Sequence, residues 1–264
     1  MPTQTDSASE TITEPTKQAI KSNLYNRLQQ KFFAQVRSVI AQIRSPLYQN
    51  ALYIFAAMVV SSASGFLFWL IAARVTNPES VGIVQAAIGT AVFLGSVANL
   101  GIGTALPYFS AKEAYPTYIV NVGIRIGWVV VALFTLVYVV TIPVFSTGLL
   151  PVYEDTIMLS FLFLFTVVNF ILGLQDGAML SQRQGRYVFL RLITCNVPPV
   201  IFVAALFFFP GQSRELFIAY TIPNIIVGVI TSIWVIPRYF KGYKFFGHFD
   251  FAVLRRMWSY GILN

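Results

Sequence analysis

The chain has 264 residues, 56% of them hydrophobic and 11% charged, with a mean hydropathy of +0.70 and a formal net charge of +8. Soluble domains carry about 25% charged residues, so this composition excludes a water-soluble globule, and its apolar content excludes disorder over most of the length. One Cys and one His exclude a disulfide scaffold and a His/Cys zinc site, which leaves an all-α, polytopic membrane protein with no metal or cofactor expected.

Residues 1–16 are rich in Thr, Ser and acids, with Pro2 and Pro15, and read as a disordered tail. Over residues 17–45 the pattern changes: Leu24, Leu28, Phe32, Val36, Ile40 and Ile43 recur at helical spacing opposite Arg27, Lys31 and Gln35. That spacing predicts a basic amphipathic helix lying in the cytoplasmic headgroup layer. Pro46 then favours a break before the first span.

A membrane-crossing helix needs about 20 apolar residues. Six runs qualify: Ala51 to Ala73, Val81 to Phe109, Tyr118 to Phe145 with Arg125 inside, Ile157 to Leu180 with Asp176 near its end, Tyr187 to Phe209 with Arg191 near its start, and Leu216 to Ile236. They are continuous, whereas barrel strands would alternate apolar and polar residues. The lobe thus predicted covers residues 46–237. Residues 238–264 form a basic segment in which a seventh span starts at Trp258. Its aromatics predict an interfacial belt in lipid contact rather than a nucleic-acid surface, and His248 reads as solvated.

Orientation follows from the bases. Of the 18 Lys and Arg residues, all but Arg74 and Arg214 fall in alternate connections or at the helix ends beside them. The positive-inside rule therefore places the N-terminus and the segment after the sixth helix in the cytoplasm, and contact with anionic membrane lipids accounts for the basic excess without nucleic acid.

The sequence lacks a phosphate-binding G-x-x-x-x-G-K-[ST] loop, a G-x-S-x-G elbow and an H-E-x-x-H pair. Asp176 is the only acid within a span, so no carboxylate pair is expected, and the chain reads as a non-enzyme.

Polar residues in the spans include Asn99, Asn121, Asn169, Gln175, Asn196 and Asn224. They serve either as packing hydrogen bonds or as the lining of a wet cavity. Pro143, Pro198, Pro199 and Pro223 each remove a backbone donor, which predicts kinks, above all at Pro198 and Pro199. Small residues spaced by four (Ala57, Ser61, Gly65 and Gly95, Asn99, Gly103) predict tight packing of the first two helices. Arg125 and Arg191 either snorkel to the headgroups or form a cationic vestibule for an anionic substrate. Asp176 and Arg183 share a helical face if the helix continues, as an interfacial contact or a gate.

The stretch GFLFWLIAARVTNPESVGIVQAA, residues 65–87, has an Ala73–Arg74 pair, then Pro78 and Glu79 in a turn, then Gly82. With NLGIGTALPYFSA, residues 99–111, and LRRMWSYGILN, residues 254–264, it resembles the polysaccharide-biosynthesis flippases of the multidrug, oligosaccharidyl-lipid and polysaccharide exporter superfamily. The resemblance implies one lobe of a two-lobe exporter in the plasma membrane, moving a polyprenyl-pyrophosphate-linked glycan. It also implies a further lobe or second copy as partner. Lipid II flippases carry first-helix arginines where this chain has Ser62 and Phe68, which argues against lipid II itself. A drug/cation antiporter lobe and a six-helix scaffold are the alternatives. The candidate substrate-binding residues are Arg125, Arg191, Arg74, Asn196 and Asn224. Pro198, Pro199, Pro223 and Asp176 are the candidate hinge or gate.

Overall fold

In the computed structural model the described residues are 46–99, 101–112, 116–208, 212–244, 253, 255–257, 259 and 260. The tail of residues 1–16, the amphipathic helix expected over 17–45, His248 and, apart from residues 259 and 260, the seventh span expected from Trp258 lie outside them. The chain separates into two compact units, Met1–Gln49 and Asn50–Asn264. The second holds all the packing described below.

Among the described residues the secondary structure is helical. The helices are α1 (Pro46–Val75), α2 (Pro78–Asn99), α3 (Ile102–Lys112), α4 (Pro116–Phe145), α5 (Leu150–Glu154), α6 (Thr156–Ser181), α7 (Gly185–Ala205), α8 (Ser213–Ile230) and α9 (Ile236–Tyr239). Among the described residues, six helical stretches are long and apolar enough to cross a membrane: Tyr48–Val75, α2, α4, α6, α7, and the run from Ser213 to Tyr239. Their outer faces carry large exposed apolar side chains, Phe55 at 66%, Val140 at 69% and Trp234 at 66%, which only a hydrocarbon solvent tolerates in this number.

The chain starts and stops these helices with local signals. Pro46, Pro78 and Pro116 each open a helix, where a missing N–H costs nothing. Asn77 caps α2 through Ser80 N–H at 2.7 Å, and Asp155 caps α6 through Ile157 and Met158 N–H. Gln212 and Glu215 form a reciprocal capping box on α8.

The expected second span, Val81 to Phe109, is not one helix. It breaks between α2 and α3 at Gly101, whose φ of +81° is open to glycine. Asn99 Oδ1 accepts Gly103 N–H at 2.6 Å, and Gly101 C=O accepts from Thr104 and Ala105, so a new helix starts there.

Helix α6 is the centre of the unit, packed against α4, α8, α3 and α2. Close approach depends on glycines: a Cβ at Gly228 of α8 would overlap Val168, and one at Gly127 of α4 would lie 2.5 Å from Leu174. The buried side chains form two main layers. One joins Phe68, Ala72, Val84, Ile142, Leu162 and Leu216. The other joins Leu106, Ile124, Leu174, Met179, Ile236 and Met257.

The expected tight pairing of the first two helices is not found. Their backbones do not approach closely, and a Cβ at Gly65 would meet nothing within 4 Å. A Cβ at Gly95 would instead contact Phe170 of α6. Helix α1 instead meets α7 and α8: its backbone at Asn50 lies against Gly185, whose N–H donates to Asn50 Oδ1 at 2.8 Å, and Tyr53 packs on Phe189 and Phe68 on Tyr220. The small-residue spacing fixed a smooth face without fixing its partner.

The prolines expected to kink their helices, Pro143 among them, do not end them. α7 runs through Pro198 and Pro199, and α8 through Pro223. The sixth span is interrupted later, by a π-helical turn at Thr231–Val235 just before Pro237. Pro237 has no N–H for the Ile233 carbonyl and its ring crowds that carbonyl. The extra residue of a π turn relieves both.

Candidate functional site

The end of α6 and the start of α7 bring two opposite charges together. Arg191 Nε donates to Asp176 Oδ1 at 2.6 Å and Nη2 donates to Asp176 Oδ2, a bidentate pair whose side chains are 9% and 17% exposed. The remaining Nη1 points to Cys195 Sγ at 3.7 Å. A guanidinium inside a membrane-spanning helix costs about 2.5–3.5 kcal/mol on insertion scales, and a carboxylate matched to both arms of the fork offsets that cost.

The pair corrects the expected Asp176–Arg183 relationship. α6 ends at Ser181, and Arg183 sits beyond it at φ +58°. Gln184 N–H bonds Met179 C=O and Arg183 N–H bonds Leu180 C=O, the closing pattern of a Schellman turn with arginine in the usual glycine place. The turn carries Arg183 off the α6 face and returns the chain so that Arg191 faces Asp176.

Arg125 is buried in α4 and holds the backbone that follows the sixth span. Its Nε and Nη2 donate to Lys244 C=O at 3.1 and 2.7 Å. One turn earlier, Asn121 donates to Gly242 C=O at 3.2 Å and accepts Lys244 N–H at 3.0 Å. Burial pushes the phenol of Tyr243, between these two anchors, up to about 12, against the opposing pull of Gln175 and the Arg125 charge. Arg125 and Arg191 therefore occupy separate places, each engaged by protein groups.

The other expected residues are dispersed. Arg74 is exposed in the last turn of α1. Asn196 donates to Ser61 Oγ at 3.2 Å and Leu192 C=O at 2.8 Å, linking α7 to α1. Asn224 donates to Tyr220 C=O at 3.0 Å and to Cys195 C=O at 3.5 Å. Pro199 has no N–H to give that Cys195 carbonyl, so Asn224 replaces a missing helical bond. Pro198 and Pro223 lie on the same two helices. Of the described aromatics in the expected lipid belt, Tyr239 is 49% exposed and Phe240 is turned inward at 2%; further on, Tyr260 stacks on Tyr108 at 4.3 Å.

A cavity of about 490 Å³ opens beside the ion pair, between the first three turns of α7 and the π turn. Arg191 forms part of its wall, and Tyr187 and Thr231 line it as well.

A family model for "Polysaccharide biosynthesis protein" matches residues 47–263, nearly all of the described chain. The chain belongs to that family. Neither a curated protein nor a solved structure matches it. The family assignment agrees with the six spans and with the three stretches that carried the resemblance.

Sequence reasoning missed Gln175 and Ser232 as partners. Gln175 is 0% exposed and its Nε2 donates to Ser232 Oγ at 2.8 Å, inside the π turn. Tyr187 was also missed; only its position three residues before Leu190 and four before Arg191, on one face of α7, signalled it.

Proposed function

We propose that the chain works as a flippase lobe, moving a lipid-linked oligosaccharide or polysaccharide precursor across the plasma membrane with its N-terminus in the cytoplasm. The observation that carries this reading is the family match across all six spans. The placement of bases at alternate connections supports the orientation. A polyprenyl pyrophosphate carries negative charge at the headgroup level, the level of Arg125 and Arg191. In this reading the Asp176–Arg191 pair is a gate, because a phosphate competes with Asp176 for the same planar fork. A further lobe or a second copy completes the transport path, and Arg74 stabilises the opposite end of α1. The antiporter reading is less favoured, since both oxygens of Asp176 are held by Arg191 rather than open to a cation.

The test is glycan export in a strain lacking its own exporter, complemented by the full protein, with membrane insertion measured separately. Restored export supports the reading. Full insertion with no export of any lipid-linked glycan overturns it. Reporter fusions after Arg44 and after Lys244 should both read cytoplasmic, and one external signal would invert the topology.

A further inference from the structure

We propose that the cavity between α7 and the π turn is a resident site for an anionic glycerophospholipid of the surrounding bilayer, distinct from any transported substrate. Three features support it. The first is the polarity gradient of the walls. Gln184, Arg186 and Tyr187 line the end where α7 begins, and Leu190, Val227 and Ile230 line the part deeper along the helices. From Gly185 to Thr194, the deepest α7 position on the wall, is about 14 Å at 1.5 Å per residue. A headgroup and the start of an acyl chain span that depth.

The second feature is access. Leu190 is 52% and Ile230 48% exposed, so the deeper half of the cavity opens sideways to hydrocarbon. A soluble ligand would leave that apolar half exposed, and a lipid covers it.

The third is a buried polar group poorly matched by its protein neighbour. Tyr187 is 9% exposed, lines the cavity, and its hydroxyl lies against Thr231 without closing a well-formed hydrogen bond to it. Buried donors are nearly always satisfied. Its oxygen is buried, so a phosphodiester oxygen in the cavity reaches it through a small turn of the Tyr187 side chain. The charge agrees: Arg191 is matched by Asp176, which leaves Arg186 to set a single positive charge on the wall. One phosphodiester charge complements it, and a net-neutral headgroup does not.

The site is tested by native mass spectrometry on the delipidated full chain, offered equal phosphatidylglycerol and phosphatidylcholine. Phosphatidylglycerol adducts should outnumber phosphatidylcholine adducts by about tenfold, as expected for one charge-assisted hydrogen bond set. Arg186→Gln and Tyr187→Phe should each remove most of that preference, whereas Arg214→Gln, at the other end of the helices, should keep it. Equal adducts of the two lipids, or a preference that survives both substitutions, overturns the proposal. Inorganic phosphate at millimolar concentration should not displace the lipid; displacement would make this a soluble-phosphate site. A polyprenyl diphosphate that displaces it would make the cavity the substrate site, and the resident-lipid assignment would fall while the flippase reading stood. Thermal unfolding guards against misfolded variants. Tyr187→Phe removes a hydroxyl only poorly bonded to Thr231, so it should melt close to the parent without lipid and lose the upward shift that phosphatidylglycerol gives the parent.

Discussion

Asn224 of α8 donates to the Cys195 carbonyl of α7 at 3.5 Å, the carbonyl that Pro199 leaves without its helical N–H. One residue thus repairs across a helix interface what another removes within a helix. Asn224→Ala should cost about 0.6–1 kcal/mol in a stability assay in micelles. In a Pro199→Ala background the helix supplies its own N–H to Cys195, and the same Asn224→Ala change should cost much less. The coupling is read from a double-mutant cycle. Equal costs in both backgrounds would show that the hydrogen bond to Cys195 contributes nothing.

The Asp176–Arg191 pair should behave as a buried ion pair whose halves cannot be removed singly. Asp176→Asn leaves a guanidinium buried without its counter-charge, and Arg191→Met leaves a carboxylate, each at about 3–5 kcal/mol. The double change to Asn and Met should recover most of that loss. Export then separates the roles. A stable double variant that still exports makes the pair architectural, and a stable one that does not export keeps it as the gate.

The spans were legible because hydropathy is summed over a window, so no single residue decides it. The breaks were not. Gly101 ends α2 through one positive φ, and Arg183 adopts φ +58° where a glycine would have announced the turn. The pairing of Asp176 was misread for the same reason: its true partner depends on how the turn folds α7 back, and sequence spacing along one helix carries no such information. Asn224 and Pro199 were each visible as unusual residues in a span. Their relationship needed the distance between α7 and α8. The prolines of α7 pointed to a kink there, while the departure from regular α-helix at Thr231–Val235, where Pro237 and the Gln175–Ser232 contact act together, carried no such signal.

Arg125 should control how tightly the chain after the sixth span is held. Lys241 and Lys244 are exposed, so trypsin reaches the side chains, but cleavage needs the backbone to leave Asn121 and Arg125. Arg125→Ala in detergent-solubilised protein should speed cleavage at these lysines about tenfold, the factor for a loss near 1.4 kcal/mol of local opening energy. Arg125→Lys keeps a charge but loses the two-pronged grip, and should fall between the two. Cleavage at Arg214 should be unchanged in all three proteins. Uniform acceleration at every site would point to global unfolding instead of a released clamp.

Asp155 links two helix starts and should make stability depend on pH. Its carboxylate caps α6 and accepts from Arg214 Nε of α8 at 2.6 Å. Partial burial pushes the carboxyl up, but the Arg214 hydrogen bond and charge, with the Met158 and Ile157 N–H groups, leave it below its ordinary 3.8. A carboxyl lowered on folding stabilises the folded state above its unfolded value, and that contribution disappears as pH falls through the lower, folded value. Asp155→Asn keeps a capping oxygen and loses the charge. Arg214 is 48% exposed, so water screens the pair and the loss at pH 7 should be below about 1 kcal/mol. Asp155→Ala removes the cap as well and should cost about 1 kcal/mol more. Melting temperatures from pH 7 down to the acid limit provide the check. The gap between parent and Asp155→Asn should hold steady until the pH drops below 3.8 and then close. A gap that persists unchanged in acid would mean that the Asp155 charge does not carry the stabilisation.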